Sequence, residues 1–164
     1  MDVPVMTIKY KGLFDFDGLY NLIAQWMKAR RYWLKESKYK HKVPSPSGAE
    51  QEISFKGDKD VTDYYSQSIA VDMHLWDMTE VDVEVDGQKR TLTNARIEIV
   101  ISGSLKIDKE GVFKGNKIIK QLGDFLNKYI WRQDIDAWGD ELYYRLNKLH
   151  DAIKEFLDMQ TKYS

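Results

Sequence analysis

The sequence predicts an α+β protein in which a curved antiparallel sheet packs against a long C-terminal helix. Between residues 32 and 108, apolar side chains alternate with polar ones, as they do in half-buried strands. Between residues 117 and 163 there is no proline, and apolar residues return at steps of three, four or seven, as they do on one side of a helix. A sheet and a helix that each have one apolar side bury it most simply against each other.

The first elements are a strand and a helix. Met6, Ile8 and Tyr10 alternate with polar residues, which predicts a strand with one apolar face. Asp15 or Asp17 can accept backbone N–H bonds at the start of a helix. The apolar residues of this helix follow at steps of three and one, and they are Leu19, Leu22, Ile23, Trp26 and Met27. We therefore expect a helix that ends near Arg30 and Arg31.

About five or six antiparallel strands are predicted between this helix and residue 108. Ile53 and Phe55 define a short strand, and alternating apolar residues over 69–75 define a longer one. The dipeptide Asp86-Gly87 favours left-handed turn geometry and lies between two further alternating segments. It therefore predicts a β-hairpin.

The C-terminal helical segment carries two apolar stripes. The first consists of Ile118, Leu122, Phe125 and Tyr129, and the second of Ile135, Trp138, Leu142, Leu149, Ile153 and Phe156. The spacing slips between the stripes and Gly139 lowers helix propensity, so we expect a kink or break near residues 131–139. Residues 1–164 are expected to form a single domain, with residues 134–164 as a helical extension.

Composition excludes several classes of protein. The chain has no cysteine, so disulfides, thiol catalysis and cysteine zinc sites are excluded. The first eleven residues lack the apolar core of a secretory signal, and no apolar run is long enough to span a membrane. The sequence therefore predicts a soluble, intracellular protein, cytoplasmic by default. A net charge of −1 predicts no general attraction for nucleic acid.

No motif in the sequence indicates a particular chemistry. Among the three histidines, His74 is the best general acid/base candidate, because it shares a strand face with Asp72 and Trp76. A histidine beside a surface carboxylate is nevertheless commonplace. Glu50 and Glu52 form a carboxylate pair that flanks a turn. We therefore expect no catalytic residue, no metal site and no cofactor, and a non-enzymatic function is favoured.

The order of strand, helix, antiparallel strands and long helix resembles the helix-grip fold of the START and polyketide-cyclase-like superfamily. The resemblance lies in the order of elements over most of the chain, and no diagnostic residue motif accompanies it. It implies an apolar small molecule or lipid held between the sheet and the closing helix, in a cavity that some members also use for cyclase chemistry. Such a cavity would be lined by Met73, Leu75, Ile97, Ile99, Phe125 and Tyr129. The alternative is that these side chains interdigitate as an ordinary core.

Two other functions stay open at the level of sequence. The apolar side of residues 135–156 suits a partner helix, which predicts an assembly module that forms a homodimer; docking on a membrane is disfavoured there because both charge signs are mixed. Residues 28–42 combine seven basic residues with Tyr32, Trp33 and Tyr39, a pattern typical of a nucleic-acid or anionic-surface binder. The net charge and an acidic segment at 72–86 disfavour nucleic acid.

Overall fold

The computed structural model describes residues 1–41, 46–108 and 110–160, with all of their side chains except those of residues 36–41, 159 and 160. The strands are β1 (Met6–Phe14), β2 (Trp33–His41), β3 (Ala49–Asp60), β4 (Tyr65–Val85) and β5 (Gln88–Ile107). The helices are α1 (Phe16–Ala29), α2 (Lys117–Tyr129) and α3 (Arg132–Gln160). The strands form one antiparallel sheet in the order β1-β5-β4-β3-β2. The predicted α+β fold, a curved antiparallel sheet with a C-terminal helix, is confirmed.

Helix α1 begins where the sequence places a cap. The Asp15 carboxylate accepts a hydrogen bond from the Gly18 N–H at 3.0 Å, which satisfies a backbone donor of the first turn. Leu19, Ile23 and Met27 are completely buried and belong to the same core as the inner face of the sheet. The helix thereby covers one part of this face.

The β4–β5 hairpin confirms the prediction from Asp86-Gly87. Both residues have positive φ angles, 50° and 76°, as a tight two-residue hairpin turn requires. The 69–75 and 81–85 segments, which the sequence separates, are one continuous strand β4 with a register shift between Trp76 and Thr79. The count is therefore five strands in the described part of the chain.

The C-terminal segment breaks at Ile130 and Trp131, at the start of the predicted interval. Helix α3 covers the sheet, with its apolar stripe almost wholly buried. This stripe consists of Leu142, Leu146, Leu149, Ile153 and Leu157. Gly103 of β5 gives α3 room, since a Cβ at this position would lie 2.9 Å from Leu146 Cδ1. The segment expected to be an extension is thus the closing helix itself.

The helices in the described residues include none with the length and apolarity that crossing a membrane requires.

Candidate functional site

The apolar side of α2 faces solvent. The stripe predicted from sequence, Ile118, Leu122, Phe125 and Tyr129, is exposed together with Ile119 and Ile130. The exposed fractions of these six side chains run from 42% at Ile119 to 72% at Ile118. We call this set the α2 face. Contiguous apolar surface of this kind marks a contact site rather than an ordinary exterior.

The opposite, polar side of α2 contacts the rest of the protein. Gly123 is buried beneath Phe113, and a Cβ at this position would lie 2.7 Å from the Phe113 ring carbon Cγ. Four residues later, the Asn127 amide oxygen accepts a hydrogen bond from the Tyr64 hydroxyl at 3.3 Å. A cavity of about 220 Å³ between these contacts is lined in part by Lys120 and Asp124. These contacts fix the rotation of α2 about its axis, and they turn its apolar side outward.

A short turn before α2 holds Phe113 in place. The buried Asp108 carboxylate accepts hydrogen bonds from the N–H groups of Val112 and Phe113, at 2.7 and 3.0 Å. The Phe113 ring then packs edge-on against Tyr64, with 5.9 Å between the ring centroids, and Tyr64 also contacts Trp131 at 4.9 Å. Burial raises the pKa of the Tyr64 phenol. This aromatic cluster is the platform on which α2 rests.

The chain around α2 is strongly basic. Residues 114–132 contain one acidic residue, Asp124, and five basic ones. The basic residues are Lys114, Lys117, Lys120, Lys128 and Arg132. On the helical wheel, Lys117 and Lys128 lie along one edge of the α2 face, with Asp124 next to them. The α2 face is thus an apolar surface with a basic border.

The structure separates the six residues predicted to line a ligand cavity. Met73, Leu75, Ile97 and Ile99 lie together on the inner face of the sheet with at most 2% of their surface exposed. They belong to one core cluster with side chains of α1 and α3. Phe125 and Tyr129 are 53% and 64% exposed on α2 and lie outside this cluster.

The structure also locates the two alternative interaction surfaces predicted from sequence, the apolar side of residues 135–156 and the basic segment 28–42. Leu142, Leu149 and Ile153, on which the homodimer hypothesis rests, are completely buried within the chain's own core, so this hypothesis is wrong about the face it uses. In the basic segment 28–42, Trp33 is 74% exposed, whereas Tyr32 is buried. Residue 42 lies outside the described residues, as do the side chains of residues 36–41.

Tyr32 belongs to a buried polar network that sequence reasoning missed. Its hydroxyl donates to the Gln67 side-chain oxygen at 3.0 Å, and the Gln67 amide nitrogen donates to the Trp138 carbonyl at 3.2 Å. Arg145 of α3 donates to the Tyr32 hydroxyl at 3.5 Å and also pairs with Glu141. Gln67 takes one position in the apolar series that continues with Ile69 and Val71 along β4, and this polar exception is the signal of the network in the sequence.

On the outer face of the sheet, His74 lies between two carboxylates. Its Nε2 is 2.7 Å from Glu50 Oε1, and its Nδ1 is 3.5 Å from Glu52 Oε1. The ring stacks on Trp76 as the sequence suggests, but Asp72 does not orient it, since Asp72 accepts a hydrogen bond from Ser54. Both glutamates were visible in the sequence as a pair; their approach to His74 depends on strand register.

No protein-family model matches this sequence, and no characterised protein matches it significantly. Among solved structures, the chain is similar to the Zhui aromatase/cyclase from Streptomyces sp. R1128, with 9% sequence identity and a TM-score of 0.20. The matched region covers 92% of this chain and 94% of that one.

Proposed function

We propose that this protein docks on the surface of an anionic membrane through the α2 face. The observation that carries this proposal is the outward orientation of an apolar helix side whose polar side is packed inward. Helices on globular proteins ordinarily turn their apolar side to the core, as α3 does here. An exposed apolar face with a basic border is typical of helices that lie in a membrane interface.

The dimensions of α2 suit such a contact. The helix has 13 residues and is therefore about 20 Å long. Leu122 and Phe125 supply apolar volume at the centre of the face, and Tyr129 supplies an amphipathic ring at its end, a residue type favoured at membrane interfaces. Burial of one such aromatic or aliphatic side chain contributes about 1.5–3 kcal/mol, so a few of them suffice for reversible binding.

Charge favours an anionic bilayer over a second copy of the chain. In a symmetric dimer through the α2 face, the basic borders of both copies would meet and repel. Anionic lipid attracts the same lysines, with about 1 kcal/mol for each basic side chain near the surface. Arg132 already pairs with Asp136 at 3.9 Å, so we assign this attraction to the lysines.

A further exposed aromatic residue, Trp33, lies at the same end of the sheet as α2. Trp33 pairs with Asp58 at the end of β3, and β3 and β5 both meet the start of β4 at this end. The Tyr64–Asn127 hydrogen bond places α2 there as well. Beside Trp33 lies a cavity of about 500 Å³, lined by two basic and two acidic side chains, those of Arg31, Lys59, Asp58 and Asp60. Tryptophan and basic side chains are the groups that anchor proteins at lipid headgroups.

Co-sedimentation with vesicles tests the proposal. We expect the protein to bind vesicles of phosphatidylcholine mixed with phosphatidylserine more tightly than vesicles of phosphatidylcholine alone. Phe125→Lys should weaken binding by about two- to thirtyfold, since the lost burial of about 1.5–3 kcal/mol exceeds the roughly 1 kcal/mol that a further lysine gains near anionic lipid. The matched control is Tyr144→Lys, which replaces a 61% exposed aromatic residue on α3, away from the α2 face.

Equal binding by Phe125→Lys, Tyr144→Lys and the unchanged protein would overturn the proposal. Failure of the unchanged protein to bind anionic vesicles would do the same. Sedimentation equilibrium serves as the companion measurement. If it shows a dimer that Phe125→Lys dissociates, while vesicles are not bound, a second copy of the chain occupies the α2 face instead.

A second candidate function is the binding of an apolar small molecule between the sheet and the C-terminal helix. What supports it is that Met73, Leu75, Ile97 and Ile99 share one continuous buried face within the core that α3 covers. A ligand there would have to displace other side chains of the core, because the four sheet residues are at most 2% exposed. Phe125 and Tyr129 would join that site only if α2 moved against the sheet.

A further inference from the structure

The outer face of the sheet brings together three side chains that can bind a metal. Glu52 of β3 and His74 of β4 are direct cross-strand partners, and Glu50 lies two residues from Glu52 on the same face. One ligand atom from each of the three lies within 4.8 Å of the others. Their side chains are between 29% and 35% exposed, so an ion can reach them from solvent while strands hold their backbones in place.

The orientation of the imidazole is fixed by its neighbours. The His74 ring stacks on Trp76 with 3.8 Å between centroids and 18° between the planes. The Arg96 guanidinium lies 5.6 Å from the Trp76 ring centroid and is held by a 2.8 Å ion pair with Asp77. Stacking leaves both ring nitrogens at the edge, and there they face the glutamates. A ligand whose orientation is fixed in advance loses little freedom on binding.

The ligand atoms lie close enough together for one small divalent ion to draw them around it. Ligands around a tetrahedral zinc ion with bonds of roughly 2.1 Å are about 3.4 Å apart. His74 Nε2 and Glu50 Oε1 are 2.7 Å apart, slightly closer than this, and Glu52 approaches from the Nδ1 side. One ion takes only one ring nitrogen, so binding at Nε2 beside Glu50 requires the Glu52 side chain to rotate from Nδ1 toward Nε2.

The charge of the cluster also favours a cation. Two carboxylates converge on one imidazole, and a third, Glu98, is the cross-strand partner of His74 on β5. Glu98 is paired with Lys9 at 3.1 Å. A protonated imidazole supplies one positive charge to Glu50 and Glu52, whereas a divalent ion supplies two. Imidazole with carboxylates is a ligand set for transition metals, whereas magnesium and calcium prefer oxygen ligands alone.

We propose that Glu50, Glu52 and His74 form a binding site for one divalent transition-metal ion, with zinc as the representative ion. The protein supplies one nitrogen and two carboxylate groups, and water completes the coordination on the solvent side. This site lies on the outer face of the sheet and does not depend on the proposed membrane docking. It also differs from the sequence-based expectation of no metal site, because the third ligand comes from a different strand.

Isothermal titration calorimetry with zinc chloride at neutral pH tests this site. We expect one zinc ion per chain, with no displacement by excess magnesium. His74→Gln, Glu50→Gln and Glu52→Gln should each weaken zinc binding by about 100-fold, since even an outer partner of a metal ligand is worth roughly 10- to 100-fold in affinity. The matched control is His150→Gln, which removes an imidazole beside Asp151 on α3.

Two further measurements keep the result decisive. Circular dichroism establishes that each variant is folded, and NMR follows the imidazole signals of His74 and His150 during the zinc titration. Zinc should shift the His74 signals and raise the melting temperature of the unchanged protein, but not that of His74→Gln. Absence of zinc binding in the unchanged protein, or equal zinc affinity in His74→Gln, would overturn the proposal.

Discussion

Tyr32 connects three parts of the molecule through one hydroxyl group. It follows α1, donates to Gln67 on β4 and accepts from Arg145 on α3. Burial raises the pKa of this phenol, and the hydrogen bond from Arg145 acts in the opposite direction. From the sequence, Tyr32 is an aromatic residue of a basic surface segment, whereas in the structure it is buried. The sequence pattern shows only which residues are neighbours along the chain and not which ones meet across the sheet. The two partners of Tyr32, Gln67 and Arg145, lie 35 and 113 residues away along the chain.

We expect Tyr32→Phe to lower the free energy of unfolding by about 1–3 kcal/mol, because the buried Gln67 oxygen loses its donor. A raised pKa in the folded state means that folding favours the neutral phenol, so this contribution is complete below the unfolded pKa of about 10 and is lost as the pH rises through the folded pKa. Urea unfolding measures both effects. The control Tyr144→Phe should change stability by less than about 0.5 kcal/mol, and an equal loss in both variants would contradict the expectation.

At the scale of elements, local signals determine what the sequence can predict. The Asp86-Gly87 turn and the Asp15 cap are specified within a few residues, and both are confirmed. The break at Ile130 and Trp131 is likewise visible as a slip in spacing. Periodicity reveals that α2 and α3 each have an apolar side, but not which of them meets the sheet. That choice depends on the fit of Gly123 beneath Phe113 and of Leu146 over Gly103.

The contrast between the two helices predicts that truncating a side chain to alanine costs far more stability on α3 than on α2. Leu149→Ala should lower the free energy of unfolding by about 2–5 kcal/mol, because it removes a completely buried side chain of α3. Phe125→Ala should lower it by less than about 0.5 kcal/mol, because that ring is 53% exposed. Urea denaturation followed by circular dichroism measures both values. Comparable losses would show that α2 packs on the sheet in solution and that the α2 face is not available for docking.

At the scale of the whole molecule, the acidic residues of the β4–β5 hairpin and the basic segment 114–132 lie at opposite ends of the sheet. The hairpin turn at one end is flanked by Asp82, Glu84 and Asp86, with Lys89 and Arg90 opposite them, whereas the basic segment 114–132 lies at the other end. The net charge of −1 conceals this division. The sequence shows the acidic and basic segments, but their placement at opposite ends follows from strand register. The same register brings Glu50 and Glu52 of β3 to His74 of β4. The periodicity of each strand does not reveal this pairing, because it depends on the length of the turn between the two strands.

The two candidate functions differ in what the intact protein carries, and native mass spectrometry separates them. Docking through the α2 face needs no bound small molecule. The four inner sheet residues Met73, Leu75, Ile97 and Ile99 are already covered by side chains of the protein itself. We therefore expect zinc-free purified protein to have the mass of the polypeptide alone, as a monomer. The matched comparison is Leu149→Ala, whose apolar cavity could admit a small apolar molecule such as benzene when this is added. An additional organic mass on the unchanged protein, released on denaturation, would contradict this expectation and favour the apolar-ligand function.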